Sequence, residues 1–463
     1  MLGFRKTQSR SSSETVLESL GYKQELKRTM SLTDVVVYGL IYMVPIAPMA
    51  VFGFVANMSR GMAALVYLVA ATAMLFSAIS YKEMALRYPV AGSVYSYVCF
   101  GMNSYFGYLA GWAILLDYLL LPALLAVFSA SAMNDLWPFI PAWVWVTVFV
   151  LLSTLVNLGG MHLTVRMNRF FLQVQLFVLL VFVCAVGIDV TGGRIGLSLK
   201  PFYNGAFFSW GVIFSAVPIA GLSLIGFDAI STLNEEAEGG GESVSKATMI
   251  VLAIISLLFV LQVYLASLYL LQGNIPASGD NMNNAFYNIA GQAGGRWLKV
   301  TVTLTSALIA IFANSIASMA TSSRLLFGMA RDGQLPAILA SVTRVRNVPG
   351  NALIILSAIS LIVGIFGVSR MDLLTTLVSF GALTSYILIN IAVLYRFGLI
   401  ERSHRLFVHW LSPLTGTVVL GYALWNAGTN AKIIGTIWIL IGIAFAFILR
   451  VSSRLVTKGQ NPL

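Results

Sequence analysis

Again and again along this chain about twenty apolar residues run on before a polar loop interrupts them. A helix needs about that many to cross the ~30 Å hydrocarbon core of a bilayer. Twelve such runs can be marked, from Val35–Asn57 at one end to Ile433–Leu449 at the other. Barrel strands are about half as long and alternate in polarity, so these runs predict helices. Composition agrees: with 58% hydrophobic and only 10% charged residues over 463 positions, there is too little polar surface to coat a globule in water. The expected fold class is an all-α integral membrane protein of twelve transmembrane helices.

Charge sets the orientation. Of the 28 Lys and Arg, only Arg60, Arg194, Lys200, Arg296, Lys299, Arg370 and Lys432 fall on the outer side when the N-terminus is placed inside. Cytoplasmic loops carry that kind of excess, so both termini are expected in the cytoplasm of a multi-pass cell-membrane protein. The net charge of +11 is spread over the inner loops, where topology control and anionic lipid explain it better than nucleic acid. The polar stretch before the first run has no apolar signal core, which predicts no cleavage. Cys99 and Cys184 lack any CxxC spacing, and His162, His404 and His409 lie in or near inner loops, so neither disulfide nor metal chemistry is expected. No catalytic constellation and no cofactor motif is visible, and GGG at 239–241 lacks the lysine and spacing of a phosphate loop.

Two of the twelve segments are interrupted. The first contains GLIYMVPIAP, where Pro45 and Pro48 each remove a backbone donor, and the sixth contains Pro218, Gly221 and Gly226. Segments one and six run in opposite directions, as an inverted repeat of five helices requires. Broken helices at matching positions of two halves point to a transporter site, because unwound backbone at membrane depth is tolerated where it lines a cavity. The expected organisation is a tail 1–30, repeats 31–190 and 205–397, two added helices 410–451 and a tail 452–463. The expected solute-binding residues are Tyr42, Met43, Val44, Pro45 and Ile46 at the first break, and Ser223, Leu224, Gly226 and Phe227 at the second. The helix restarting near Pro48 offers its positive end to a carboxylate, and freed carbonyls suit an ammonium.

Acids at membrane depth mark function or a structural bond, since each costs at least ~2.5 kcal/mol on insertion scales. Asp228 follows Gly226, where a carboxylate either caps the restarted helix or serves a cation. Asp117 in the third segment is either a coupling group or a partner for unwound backbone. Asn314, Ser318 and Thr321 in the eighth segment either hold helices together or offer oxygens to a sodium ion. The fifth segment, Phe171 to Ile188, contains no lysine, and the coupling ion is not legible from these residues. Glu235 or Glu236, in NEEAEGGGES, either faces water or pairs with Arg324 or Arg331 at an inner gate.

Four motifs occur in order along the chain: YPVAGSVYSYV (Tyr88 to Val98), GWAILLDYLLLP (Gly111 to Pro122), GFDAISTLNEE (Gly226 to Glu236) and SRLLFGMARDGQLP (Ser323 to Pro336). In these the chain resembles the amino acid/polyamine/organocation superfamily of secondary transporters, from about Leu32 to Leu449. GLIYMVP and VSFGALTSYILIN (Val378 to Asn390) look most like bacterial putrescine importers. The resemblance implies a leucine-transporter-type fold, an amino-acid or amine solute, proton or sodium symport, and a bacterial inner-membrane setting. The chain departs from the importers at PMAVFGFV, Pro48 to Val55, which has no acidic residue after the proline turn. Amino acid and polyamine therefore both stay open, as does a non-transporting nutrient sensor of the same fold; a channel lacks support in paired helix breaks.

Overall fold

The computed structural model describes residues 28–90, 93–159, 161–234, 236–270, 280–331, 333–342 and 348–459, with side chains at 161–168, 280–281, 309–311, 313 and 448–459 left aside. Glu235, Arg344 and Arg346 lie outside the described residues. Among those described, every long element is a helix, and nine helices are long and apolar enough to cross a membrane. A tenth crossing is made by a bent pair, α1 (Leu32–Met43) and α2 (Pro48–Met58), which meet at 52°.

The next helices are α3 (Ala63–Arg87), α4 (Ser93–Gly101), α5 (Ser104–Leu136), α6 (Ala142–Leu158), α7 (Met161–Thr191) and α8 (Trp210–Leu224). After a 3-10 segment at Phe227–Leu233 come α9 (Gly241–Leu270), the four-residue α10 (Asp280–Asn283) and α11 (Ala285–Leu304). A π-helical turn, Thr305–Ala310, joins α11 to α12 (Ile311–Arg331). The chain ends with α13 (Gly350–Gly367), α14 (Met371–Val393), α15 (Ser412–Trp425) and α16 (Thr429–Gly459). Of the two expected crossings outside the ten, the fourth coincides with α6, at 17 residues slightly short, and the eighth is divided by the π turn.

Several helices outrun the apolar segments that mark them. Backbone hydrogen bonding continues past the hydrocarbon edge, so α9 begins at Gly241 although its apolar run begins near Thr248. The outward faces are apolar: Leu155, Phe177, Leu257, Phe366 and Phe447 are all exposed, as lipid contact requires. The inside holds the polar groups. α5 is the central post, with 89% of its apolar window buried.

The first helix starts on a reciprocal cap. Ser31 Oγ accepts from the Asp34 backbone N–H at 3.3 Å, while Asp34 Oδ2 accepts from the Ser31 N–H at 3.2 Å. It stops at Met43 because Pro45 offers no donor, and Val44 there has a φ of 52°, costly for a β-branched residue. Pro48 then occupies the first position of α2, where its missing N–H is harmless. The second break follows the same logic by other means. α8 ends at Leu224, Ile225 is extended, and Gly226 takes a φ of 121° that favours glycine.

Candidate solute-binding site

The two breaks meet. A Cβ built on Gly226 would lie 2.6 Å from the Tyr42 ring, so glycine provides both the turn and the room for α1 to approach. Beside this contact lies a cavity lined from the first break by Tyr42, Met43, Val44 and Ile46, and from the second by Leu222, Ser223 and Ile225. Leu121, Leu125 and Phe128 of α5, Ser306 of the π turn and Asn314 of α12 complete the wall with Ala47, Ala50 and Val51. Its water-accessible volume is about 50 Å³, room for only a few waters at ~10–15 Å³ each, which describes a small site between the breaks.

Of the residues expected from sequence, Pro45, Leu224, Gly226 and Phe227 do not line this cavity. Pro45 stands behind it, its carbonyl accepting from Gln262 Nε2 at 2.9 Å, so one freed carbonyl is already satisfied by α9. Leu224 and Phe227 are fully buried in the core. The α5 residues were not legible, since a leucine on an apolar helix gives no contrast with its neighbours. Their spacing at i, i+4 and i+7 was the one available signal.

A second, polar layer lies beside the breaks. Asp228 is fully buried, and its carboxylate accepts hydrogen bonds from Tyr118 Oη at 2.6 Å and Tyr386 Oη at 2.7 Å. Those tyrosines come from α5 and α14, so the acid ties the second break to two distant helices in addition to any role at its own helix start. Tyr81 packs edge-on against both Phe227 and Tyr386, at 5.4 and 5.7 Å between centroids. Asp117 is also fully buried, one residue before Tyr118, yet neither of its oxygens has a hydrogen-bond partner among the described residues. Gly381 of α14 lets the two helices close on this point; a Cβ there would sit 2.9 Å from the Asp117 nitrogen.

The hydroxyls of α12 are engaged with protein. Ser318 Oγ donates to the Ser315 carbonyl at 3.1 Å, Thr321 Oγ1 to the Ala317 carbonyl at 3.0 Å, and Ser322 Oγ to the Tyr118 carbonyl at 2.8 Å. Thr321 also meets Tyr38 Oη at 3.3 Å. Among the described residues no cluster of three or more His, Cys, Asp or Glu could hold a metal ion.

On the face that carries the N-terminus the structure is tightly closed. The backbone N–H groups of Thr29 and Met30 both donate to the Glu236 carbonyl, and Glu238 N–H returns to Met30. Arg324 Nη1 is 3.7 Å from Glu236 Oε1, while Arg331 lies over the Phe327 ring at 5.8 Å. Asp34 pairs with Arg169. Toward the opposite face the main cavity is followed by a smaller hollow that shares Ala50 and Phe128 and adds Asn283, Asn284 and Met371.

A helical membrane protein with two interrupted helices whose breaks share one closed cavity belongs to the class of solute permeases. The amino acid permease family model matches residues 31–460, and the chain belongs to that family. It is 29% identical to the low-affinity putrescine importer PlaP of Escherichia coli (strain K12), over 91% of this chain and 93% of that one. It is 28% identical to the branched-chain amino acid permease BcaP of Lactococcus lactis, covering 82% of this chain and 85% of the relative. The protein is a membrane transporter and not an enzyme, and nothing in these similarities supports the sensor reading.

Proposed function

We propose that the protein imports an amino acid or a putrescine-like amine by alternating access, driven by a proton or sodium gradient. The observation that supports this best is the meeting of both helix breaks in one small cavity. Relatives named for a diamine and for branched-chain amino acids bracket the solute class. Twelve crossings with both termini in the cytoplasm give the inverted five-helix repeats of residues 31–190 and 205–397, and put the closed face, with Glu236 and Arg324, inside. The conformation is then shut toward the cytoplasm, with the site on the outer side of its inner gate.

A proton is the coupling ion favoured here. Asp117 is a fully buried carboxyl whose oxygens have no hydrogen-bond partner among the described residues, so its charge has no local compensation. Asp228, on the second break, is held by two tyrosines. Proteoliposomes loaded with mixed amino acids and di- and polyamines are the test. Saturable exchange of external labelled solute, stimulated by an inward proton gradient, is expected; an absence of exchange with every solute would sink the reading.

A further inference from the structure

We infer that the connection between α14 and α15 is a docking site for an anionic phospholipid, whose phosphate is held by Arg87, Arg402 and Arg405 and whose acyl chains lie along the apolar side chains beside them. The connection is built from two π-helical segments, Leu394–Ile400 and Phe407–Leu411. It is pinned to α3. Glu83 accepts from Arg405 Nη1 at 2.8 Å and from Arg405 Nη2 at 3.3 Å, and His409 Nε2 lies 3.1 Å from the same carboxylate. One turn further along α3, Arg87 Nη2 is 3.4 Å from Glu401 Oε1, which Arg396 Nε also meets at 3.1 Å. Within the connection the His409 ring stacks on Phe397 at 4.6 Å, and its Nδ1 is 2.7 Å from Ser403 Oγ. The platform is therefore fixed before any ligand arrives, which lowers the cost of binding.

Charge and position decide the occupant. Glu83 and Glu401 meet three arginines, and the exposed Arg402 adds a fourth on a left-handed backbone with a φ of 49°, a conformation costly for a residue with a side chain. Four guanidiniums against two carboxylates leave an excess of positive charge. The side chains of Arg87 and Arg405 are more than half exposed, and a guanidinium has five N–H donors, of which these ion pairs take one or two; the rest suit phosphate oxygens. A free phosphate would need nothing more. Here, however, the cations are bordered by Leu399, Ile400, Leu406 and Phe407, each more than half exposed, and by the exposed Leu86 beside Arg87. Basic groups at the rim of an apolar flank match a headgroup that carries its own acyl chains, at the depth where the bilayer turns from polar to apolar. The site lies outside the cavity between the breaks and does not depend on which solute is carried.

Thermal unfolding of the full-length protein in mixed micelles tests this, with dioleoylphosphatidylglycerol as the probe and dioleoylphosphatidylcholine and inorganic phosphate as comparisons. A ligand that binds the folded protein raises its melting temperature with concentration. Phosphatidylglycerol should do so saturably, and the other two should not. Arg402→Gln should raise the concentration needed for half the shift by about fivefold, and adding Arg87→Gln should raise it by a similar factor again, the scale of one basic residue at an anionic surface. The charge-matched double variant Lys200→Gln, Arg370→Gln, at the opposite ends of α3 and α14, should keep the wild-type response. An equal shift with phosphatidylcholine, or with phosphate alone, would overturn the choice of an anionic lipid. An unchanged half-shift concentration in Arg402→Gln and in the double variant with Arg87→Gln, or an equal loss in the variant at the opposite ends, would overturn the site. Arg402→Gln alters an exposed side chain and so decides by itself if the double variant folds poorly.

Discussion

Asp228 and Asp117 are fully buried acids in opposite circumstances. The first has a hydroxyl donor on each oxygen and the second has none among the described residues. Asp228→Ala strands two buried tyrosine hydroxyls, costing roughly 1–3 kcal/mol for each. Thermal unfolding in detergent should report that loss, and the triple change Asp228→Ala, Tyr118→Phe, Tyr386→Phe should recover much of it, since removing both partners of a bond costs less than removing one. A triple variant as unstable as the single one would show that the acid is held by something other than the tyrosines. Asp117→Asn keeps the shape but cannot exchange a proton. It should abolish proton-driven accumulation while leaving counterflow measurable, and accumulation that still responds to the pH gradient would return Asp117 to a structural role.

At the scale of elements, the two breaks are made differently and fit each other. The first uses prolines and a strained valine; the second uses an extended isoleucine and a left-handed glycine. Replacing Pro45 and Pro48 by Ala gives α1 and α2 back the donors they lack, and the continuous helix that results has no unwound wall to offer a solute. Uptake should vanish while the protein still inserts and purifies as a monodisperse species. Wild-type uptake by that double variant would mean that the break is a passive kink. The asymmetry matters for drift in sequence, because the first break survives loss of one proline more readily than the second survives any side chain at Gly226, where a Cβ would strike Tyr42.

For the whole molecule, closure of the face bearing the N-terminus includes backbone bonds from Thr29 and Met30 to Glu236 and, among the described residues, the ion pairs Asp34 with Arg169 and Arg324 with Glu236, the latter at 3.7 Å. The pair is partly exposed, and pairs of that kind contribute about 0.2–1 kcal/mol. Loss of that pair in Arg324→Gln should bias the equilibrium by about fivefold or less toward opening at the face bearing the N-terminus. A cysteine introduced as Ser231→Cys, buried in this conformation, reports it through its rate of labelling from the face bearing the N-terminus. A slower or unchanged rate in the Arg324→Gln background would show that this ion pair does not hold that face closed.

The solvent of this protein, its helical class and the location of both breaks were written in the sequence, because hydrophobic run length and proline or glycine act through local backbone chemistry. Asp117 and Asp228 were conspicuous for the same reason, as charges out of place in apolar runs. What holds each acid was not legible: Tyr118 is 110 residues from Asp228 and Tyr386 is 158 away, and only the packing of α5 and α14 around the second break brings them within hydrogen-bond reach. Nor could the apolar half of the cavity be found, since Leu125 reads like any other leucine until the fold decides which helix face meets lipid, which meets protein and which meets the space between the breaks.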